Sequence, residues 1–402
     1  MPVSTEAWFL YGRKAGEPRT ARLVRESFTL PDPGDGEVQV EPLYGSFEGN
    51  MGHALERKPI DICRQRGEER VVIGNSGVFR IVALGANVHG LREGQYGMVT
   101  GVAVPDLWGY PEKIFAYDGP GTMGLLAKRA NIKQACVVPL PDQTRHTLRQ
   151  WAVFSLRYVT AWSNWEAAHG MFRLLVGADE LPAPHVWGWG GGTTLAELSL
   201  AARFGCRVVM LSGSAHHRET IRAHGVEPLD RAQFGSLQFD EKRFSEDREY
   251  RQQYSEAEAR FLDEVKRRTD GLMTQIFIDY IGGPVYRATL KALGREGVLT
   301  TAGWMEGMVV NYLRAVECIG RHQHVHTHFA RRRQCEAAVA YGEEHGWMPI
   351  LEDRTYAFGE IPQLADDFLA GKTDVFPVYS INEIDEAYVP GAPRTSGSGP
   401  ST

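Results

Sequence analysis

Paired cysteines, long apolar runs and a basic charge balance are all missing from this chain, and each absence removes a class of protein. The five cysteines (Cys63, Cys136, Cys206, Cys318 and Cys335) lie far apart, with no C-x-x-C pair among them. A disulfide framework or a four-cysteine zinc site is therefore excluded, and reduced thiols in a cytosol are expected. No apolar stretch approaches the roughly 20 residues that cross a bilayer, so no membrane is expected as a partner. The formal net charge of −6 argues against nucleic acid or an anionic membrane surface as the main partner. The first residues, Met1-Pro2-Val3-Ser4-Thr5-Glu6, lack the basic and apolar regions of a signal peptide, and a cytoplasmic location is expected. What is present is an ordinary globular composition, 43% hydrophobic and 23% charged, over 402 residues. That length makes two domains, each with its own core, the natural expectation.

One stretch organises the rest. Val186-Trp187-Gly188-Trp189-Gly190-Gly191-Gly192-Thr193-Thr194 joins a short apolar entry to an amphipathic segment that Gly205 closes. Leu195, Leu198 and Ala202 give that segment a helical apolar face. Strand, glycine loop and helix in this order present backbone N–H groups and the positive end of a helix dipole to a phosphate. Gly188, Gly190, Gly191, Gly192, Thr193 and Thr194 are thus candidate cofactor-binding residues. The fingerprint is imperfect. Read as G-x-G-x-x-G from Gly188 its last glycine is Thr193, and read from Gly190 it is Leu195.

Before the loop, residues 7–11, 37–42, 71–78, 79–84 and 94–100 read as short strands broken by glycines and by the turn cluster Pro31-Asp32-Pro33-Gly34-Asp35-Gly36. So many short strands predict a small, barrel-like β unit. Residues 105–121, rich in proline, glycine and aromatics, read as an irregular loop. From residue 147 the texture changes, and residues 151–168 carry helical periodicity without proline. Residues 206–211 and 275–281 read as strands buried on both faces, as in a parallel sheet. Residues 219–224 and 285–293 read as helices stopped by Gly225 and Gly294, and 297–301 as a strand. This alternation predicts a doubly wound α/β domain with the glycine loop at its first strand-to-helix turn.

Two segments stand apart. Residues 235–270 are highly charged and contain a helix expected to start at a Ser255/Glu258 capping box. Phe261, Leu262 and Val265 form its apolar stripe, while Lys266, Arg267 and Arg268 suit its C-terminal dipole end. The segment reads either as a solvated insertion, or as a subunit contact or a basic edge near the phosphates of a large acyl carrier. Residues 391–402 read as a disordered tail.

In NAD-binding folds an acid closes the second strand and takes the ribose hydroxyls. Here that strand runs into Ser212-Gly213-Ser214-Ala215-His216-His217-Arg218, and the first acid, Glu219, falls inside the next helix. Ser212, Ser214 and Arg218 would suit a 2′-phosphate, which favours NADPH over NADH. On the plainer alternative the serines only make a turn and Arg218 is solvated.

Together, the β-rich unit, the phosphate loop and the later strands resemble the medium-chain dehydrogenase/reductase superfamily over residues 6–388. Ile73-Gly74-Asn75-Ser76-Gly77 sits where zinc-dependent members carry Gly-His-Glu-Gly. Gly94-Gln95-Tyr96-Gly97-Met98-Val99 is similar to their Gly-Asp-x-Val strand, and Ala302-Gly303 resembles the small pair beside the nicotinamide. Phe47 stands at the place of a zinc-ligating cysteine and Asn75 at that of a histidine, so no metal is expected. The resemblance implies an α/β protein. Its GroES-like, β-rich catalytic domain would cover residues 1–160 and 330–390, and its Rossmann domain residues 161–329, with the insertion at 235–270.

Within the superfamily, local matches point towards the crotonyl-CoA carboxylase/reductase branch of enoyl-thioester reductases. Asn50 falls in the region of that branch's active-site asparagine, and Trp108-Gly109-Tyr110 is similar to a Trp-Gly-Tyr in its substrate loop. Thr160-Ala161-Trp162 resembles its Thr-Ala-aromatic segment, and Thr327-His328-Phe329-Ala330 its Ser-His-Phe-Ala. Phe115 best matches a substrate-side phenylalanine, and Ala116 stands where the CO2-binding glutamate should follow. Trp189 replaces a small residue and Thr194 a glycine of the branch's loop, which suggests a modified fit.

The resemblance therefore implies NADPH-dependent reduction of an α,β-unsaturated acyl thioester, on CoA or an acyl-carrier protein, without carboxylation, by a homo-oligomer (dimer or tetramer). Such a reaction needs a hydride at the β-carbon, a stabilised enolate oxygen and a proton at the α-carbon. The catalytic candidates are Asn50, Phe115 and His328. Asn50 donates a hydrogen bond without titrating, and His328 donates or shuttles a proton near neutral pH. Tyr44 and Tyr158 are alternative proton donors. His328 follows His322, His324 and His326 at alternate positions, which in a strand places all four on one face. No cysteine or carboxylate accompanies them closely in sequence, so this spacing is not taken as a metal site. Three alternatives stay open: a quinone or enone reductase, a reductive carboxylase of an enoyl-CoA, and a non-catalytic nucleotide-binding relative.

Overall fold

The computed structural model describes residues 2–302, 314–327 and 329–384. The chain separates into two compact units, one of residues 1–156 and 335–402, the other of residues 157–334.

The first unit is built on β-structure. Val3–Tyr11 pairs antiparallel with both Val24–Leu30 and Arg70–Val72. A second, mixed sheet runs in the order Val137–Pro139, Tyr96–Val99, Gly77–Leu84, Glu37–Ser46, Val378–Ser380, Thr355–Tyr356, and Ala130–Lys133 also pairs with Glu37–Ser46. One apolar cluster gathers Trp8, Leu10, Phe47, Met51 and Tyr379, and another gathers Val38, Val40, Phe79 and Phe115. The strand Val24–Leu30 was not expected, because only its last residue is fully buried and its sequence shows no sustained apolar alternation. Residues 105–121 are also more regular than their composition suggests. Val102–Pro105 and Pro111–Ile114 form an antiparallel hairpin, with prolines at the strand ends and exposed Leu107 and Trp108 at its tip.

In the second unit, helix α1 (Val159–Leu175) precedes a regular alternation of strands and helices. These are β1 (His185–Trp189), α2 (Gly192–Arg203), β2 (Arg207–Ser212), α3 (Ala215–Ala223) and β3 (Glu227–Asp230). There follow α4 (Glu241–Glu246), α5 (Arg248–Arg268), β4 (Thr274–Asp279), α6 (Gly283–Ala292), β5 (Leu293–Thr301) and β6 (His324–Thr327). All six strands are parallel, in the order β3-β2-β1-β4-β5-β6. That is the doubly wound order of dinucleotide-binding folds, with its switch point between β1 and β4. The expected cap at Gly294 is not one. Strand β5 begins directly after α6, and Gly294 lies inside it, where a Cβ would stand 2.5 Å from the Leu272 carbonyl oxygen. Close backbone approach, rather than a helix end, requires glycine there.

The charged segment at 235–270 also departs from expectation. Its long helix starts seven residues before Ser255, capped by Asp247, whose carboxylate accepts the Tyr250 N–H at 3.0 Å. Ser255 is an exposed interior residue, and Glu258 is not a cap but a buried acceptor for Tyr254, Arg287 and Lys291. Nor is the insertion merely solvated. Tyr254, Ala257, Phe261 and Val265 form a buried stripe at helical spacing, and Phe261 packs on Trp189 and Trp187 with ring centroids 5.3 and 6.5 Å away. Phe261→Ala should therefore cost about 3–5 kcal/mol of unfolding free energy in urea, whereas Ser255→Ala should stay within about 0.5 kcal/mol. A solvated insertion would leave both near zero.

Candidate cofactor site

Successive residues of a strand face opposite sides of the sheet, and β1 uses this alternation fully. Trp187 and Trp189 enter the core shared with α5, so the bulk of Trp189 is turned away from the loop. Gly188 faces α2, where a Cβ would meet Thr194 Cγ2 at 2.8 Å. At Gly190, with φ of +147°, a Cβ would meet Thr194 Oγ1 at 2.3 Å. Thr194 is itself fully buried, and its hydroxyl reaches the Trp189 carbonyl oxygen at 3.4 Å. The glycine that Thr194 replaces in the resembled loop is thus matched by the space that Gly188 and Gly190 leave for its side chain.

The loop delivers the start of α2 to the carboxyl end of β1. Gly191 is the N-cap and gives no side-chain cap, and the Leu195 N–H makes the first helical bond, to the Gly191 carbonyl at 3.1 Å. The N–H groups of Gly192, Thr193 and Thr194 precede that bond and lie outside the helix ladder. Gly191 is exposed, with open space around its Cβ position. Uncapped donors at the positive end of a helix, beside the switch point, fit a pyrophosphate.

Ser212, Ser214 and Arg218 come together at the end of β2, but as parts of a turn. The Ser212 hydroxyl accepts the Ser214 N–H at 3.3 Å, and Ser214 caps α3 by accepting the His217 N–H at 3.3 Å. Arg218 donates to the Ser212 carbonyl and pairs with Asp230, both at 3.2 Å. Its charge already has a carboxylate. A cation that sequence reasoning missed is better placed: the Arg231 guanidinium lies 3.5 Å from where a Cβ on Gly213 would stand. Arg231 is exposed and has no carboxylate partner among the described residues. Only the β2–β3 register, Ser212 opposite Asp230, brings residue 231 beside residue 213, and no motif spacing encodes it.

One buried acid lies just inside α2. Glu197 is fully buried, and one carboxylate oxygen accepts a hydrogen bond from the Tyr280 hydroxyl, which in turn accepts one from the Asn164 amide. The other oxygen is buried without a hydrogen-bond partner. Burial pushes the Glu197 carboxyl up to about 8, and the hydrogen bond from Tyr280, with the Asn164 amide beside it, only partly opposes it.

The remaining candidates fall elsewhere. Asn50 is the second residue of the helix Gly49–Glu56, and its amide oxygen is buried without a hydrogen-bond partner. Phe115 is 1% exposed within the apolar cluster of Val38, Val40 and Phe79, a different cluster from that around Met51. The Tyr44 hydroxyl donates to the Ile384 carbonyl at 3.1 Å, and burial holds the Tyr158 hydroxyl well above its usual range. His328 and Gly303 lie outside the described residues, as does the tail at 391–402. The histidines do not all share one strand face: His322 precedes β6 in a left-handed conformation, with φ of +54°. A carboxylate does accompany them, because strand pairing brings Glu296 to 2.9 Å from His322 Nδ1 and 3.6 Å from His324 Nε2.

A parallel sheet of this order with a glycine loop and an uncapped helix start at its switch point defines the second unit as a dinucleotide-binding type of α/β domain. No protein-family model matches the chain, and no curated protein sequence matches it. Solved structures do. The crotonyl-CoA carboxylase/reductase AntE in complex with NADP is 18% identical with a TM-score of 0.76, over 94% of each chain. The 2-octenoyl-CoA carboxylase reductase CinF in complex with NADP and 2-octenoyl-CoA is 17% identical with a TM-score of 0.75, over 94% of this chain and 88% of that one. A putative alcohol dehydrogenase from Sinorhizobium meliloti 1021 is 18% identical with a TM-score of 0.71, over 95% and 100%. The chain shares the α/β fold of these solved structures, the fold class that its sequence motifs imply.

Glu197 leaves a mark on stability. Between the ordinary carboxylate range and about 8, the native state holds a proton that the unfolded chain has released. Stability should therefore fall as pH rises through that window and level off above it. Thermal melts from pH 5 to 9 should show this slope in the parent protein and lose it in Glu197→Gln.

Proposed function

We propose that this chain reduces an α,β-unsaturated acyl thioester with NADPH and does not carboxylate it. The observation that carries the cofactor half is the uncapped start of α2 at the switch point, with the Ser212–Ser214 turn and Arg231 beside it and no acid closing β2. Gly191, Gly192, Thr193 and Thr194 would hold the pyrophosphate, and Arg231 with the two serines the 2′-phosphate. NADPH, when bound, supplies the hydride.

The substrate half rests on the ordered local matches to the enoyl-thioester reductases and on the likeness to AntE and CinF, whose names specify enoyl-CoA substrates. In this reading Asn50 donates to the enolate oxygen from an amide whose own oxygen is buried without a partner. His328 delivers the proton to the α-carbon. Carboxylation is disfavoured because Ala116, in the glutamate's place, is a buried apolar residue with φ of +52°. Zinc chemistry is disfavoured because Phe47 packs in an apolar cluster and Asn75 offers a neutral, buried amide.

Loss of NADPH absorbance with enoyl-CoAs, enoyl-carrier proteins and quinones, each with and without bicarbonate, tests the whole reading. Thioester-dependent oxidation that ignores bicarbonate is expected, and a response to quinones alone would reject it. His328→Ala should lower turnover by roughly 10²–10⁴-fold while NADPH still binds. Arg231→Ala should weaken NADPH by roughly 10–100-fold, the loss of charge-assisted hydrogen bonds, and leave NADH unchanged. Tighter binding of NADH than NADPH by the parent protein would overturn the cofactor preference.

A further inference from the structure

Glu197 is a buried acid to which the proposed reaction gives no role. It lies five residues past the first residue of α2, on the side facing α1 and the end of β4. From α1 the group that faces it is the Asn164 amide, and from β4 the Tyr280 hydroxyl. The alternate residues of β2, Val208 and Met210, are apolar, and β1 offers Gly188. The neighbouring acid Asp279 is on the opposite face, bonded to Thr289 and to the N–H groups of Ile281 and Gly282. Among the described residues, no cation and no second carboxylate biases Glu197.

Tyr280 ties this acid to the phosphate loop. Its N–H donates to the Trp189 carbonyl at 3.3 Å, and its Cβ lies 3.2 Å from where a Cβ on Gly190 would stand. A negative charge placed on the loop would therefore act on Glu197 across the buried Tyr280 side chain, which touches both. In such surroundings a second negative charge raises the cost of ionising the first.

We propose that Glu197 takes up a proton when the dinucleotide phosphates settle on the loop, so that cofactor affinity depends on pH through a side chain remote from the cofactor. The inference rests on the cofactor reading above. By linkage, a ligand that favours the protonated form binds more weakly once the free protein has lost that proton.

Isothermal titration of the full-length protein with NADPH, in two buffers of different ionisation enthalpy, counts the protons directly. Between pH 7.5 and 9.5 the 2′-phosphate, whose second ionisation lies near 6, is fully charged and contributes nothing. The expected result is uptake of a fraction of a proton, with Kd rising by up to about tenfold per pH unit above the Glu197 titration. Glu197→Gln should abolish the uptake and flatten Kd over the same range. Tyr280→Phe, which removes the donor favouring the carboxylate, should move the window to higher pH. Tight NADPH binding with no proton uptake and a flat Kd would overturn the inference while leaving the cofactor reading intact. Undiminished uptake in Glu197→Gln would do the same. Failure to bind NADPH at any pH would instead remove the cofactor reading, and this inference with it. Should Glu197→Gln not fold, the parent protein's proton count still decides.

Discussion

Helix α2 can come close to its strand only because Gly188 and Gly190 leave the volume that Thr194 occupies. A Cβ at either glycine would fall within 2.8 Å of a Thr194 side-chain atom, far inside van der Waals contact. The usual solution for a dinucleotide loop places the last glycine on the helix, so that the helix can pack against the strand. Here the bulk has moved to the helix and the vacancy to the strand. The outcome is the same approach of backbone to backbone, secured by one threonine that also bonds the Trp189 carbonyl. The uncapped donors of the helix start, the placing of Tyr280 against the loop and the depth at which Glu197 is buried all follow from it.

The other face of β1 has the opposite problem, too much bulk. Trp187 and Trp189 need a cover, and α5 provides one through Phe261 and Val265. This explains why a segment so rich in charge is nonetheless structural. Its outer residues are solvated, while its inner stripe closes the core, and Glu258 binds it to α6 through Arg287 and Lys291. Trp189 and the insertion thus depend on each other: a large residue in the strand and a long helix to bury it.

Much of this was legible in the sequence. The strand–glycine–helix unit, the buried strands and the absence of an acid after β2 each follow from local pattern, and they are what the α/β fold rests on. What was not legible shares one property: it depends on which strands are neighbours. Arg231 joins the Ser212–Ser214 turn only through the β2–β3 register, and Glu296 reaches His322 and His324 only because β5 pairs with β6. The start of α5 was misplaced for a different reason. Ser255 and Glu258 have capping-box spacing, yet Asp247 offers an equally good cap earlier, and burial of Tyr254 rewards the longer helix. Phe115 was matched to a substrate-side phenylalanine by resemblance alone, and no sequence pattern showed that it packs with Val38, Val40 and Phe79.

The acids around the loop complete the electrostatic argument. A helix start that is to receive an anion is best served if nearby buried carboxyls carry no charge, and two buried carboxyls, Glu197 and Asp279, lie close to it. Burial raises both: Glu197 to about 8, and Asp279 upward despite its bonds from Thr289 and two backbone N–H groups. Around neutral pH the Glu197 carboxyl is therefore mostly protonated, and it confronts the helix start as a neutral group. The exposed charge at the edge is that of Arg231, while Arg218 and Asp230 cancel each other. An apolar side chain at position 197 would also have removed the negative charge, but it would have left the Tyr280 hydroxyl and the Asn164 amide to satisfy each other alone at full burial. The protonated carboxyl satisfies the tyrosine, adds no charge, and keeps a titratable group bonded to the residue that packs against the glycine loop.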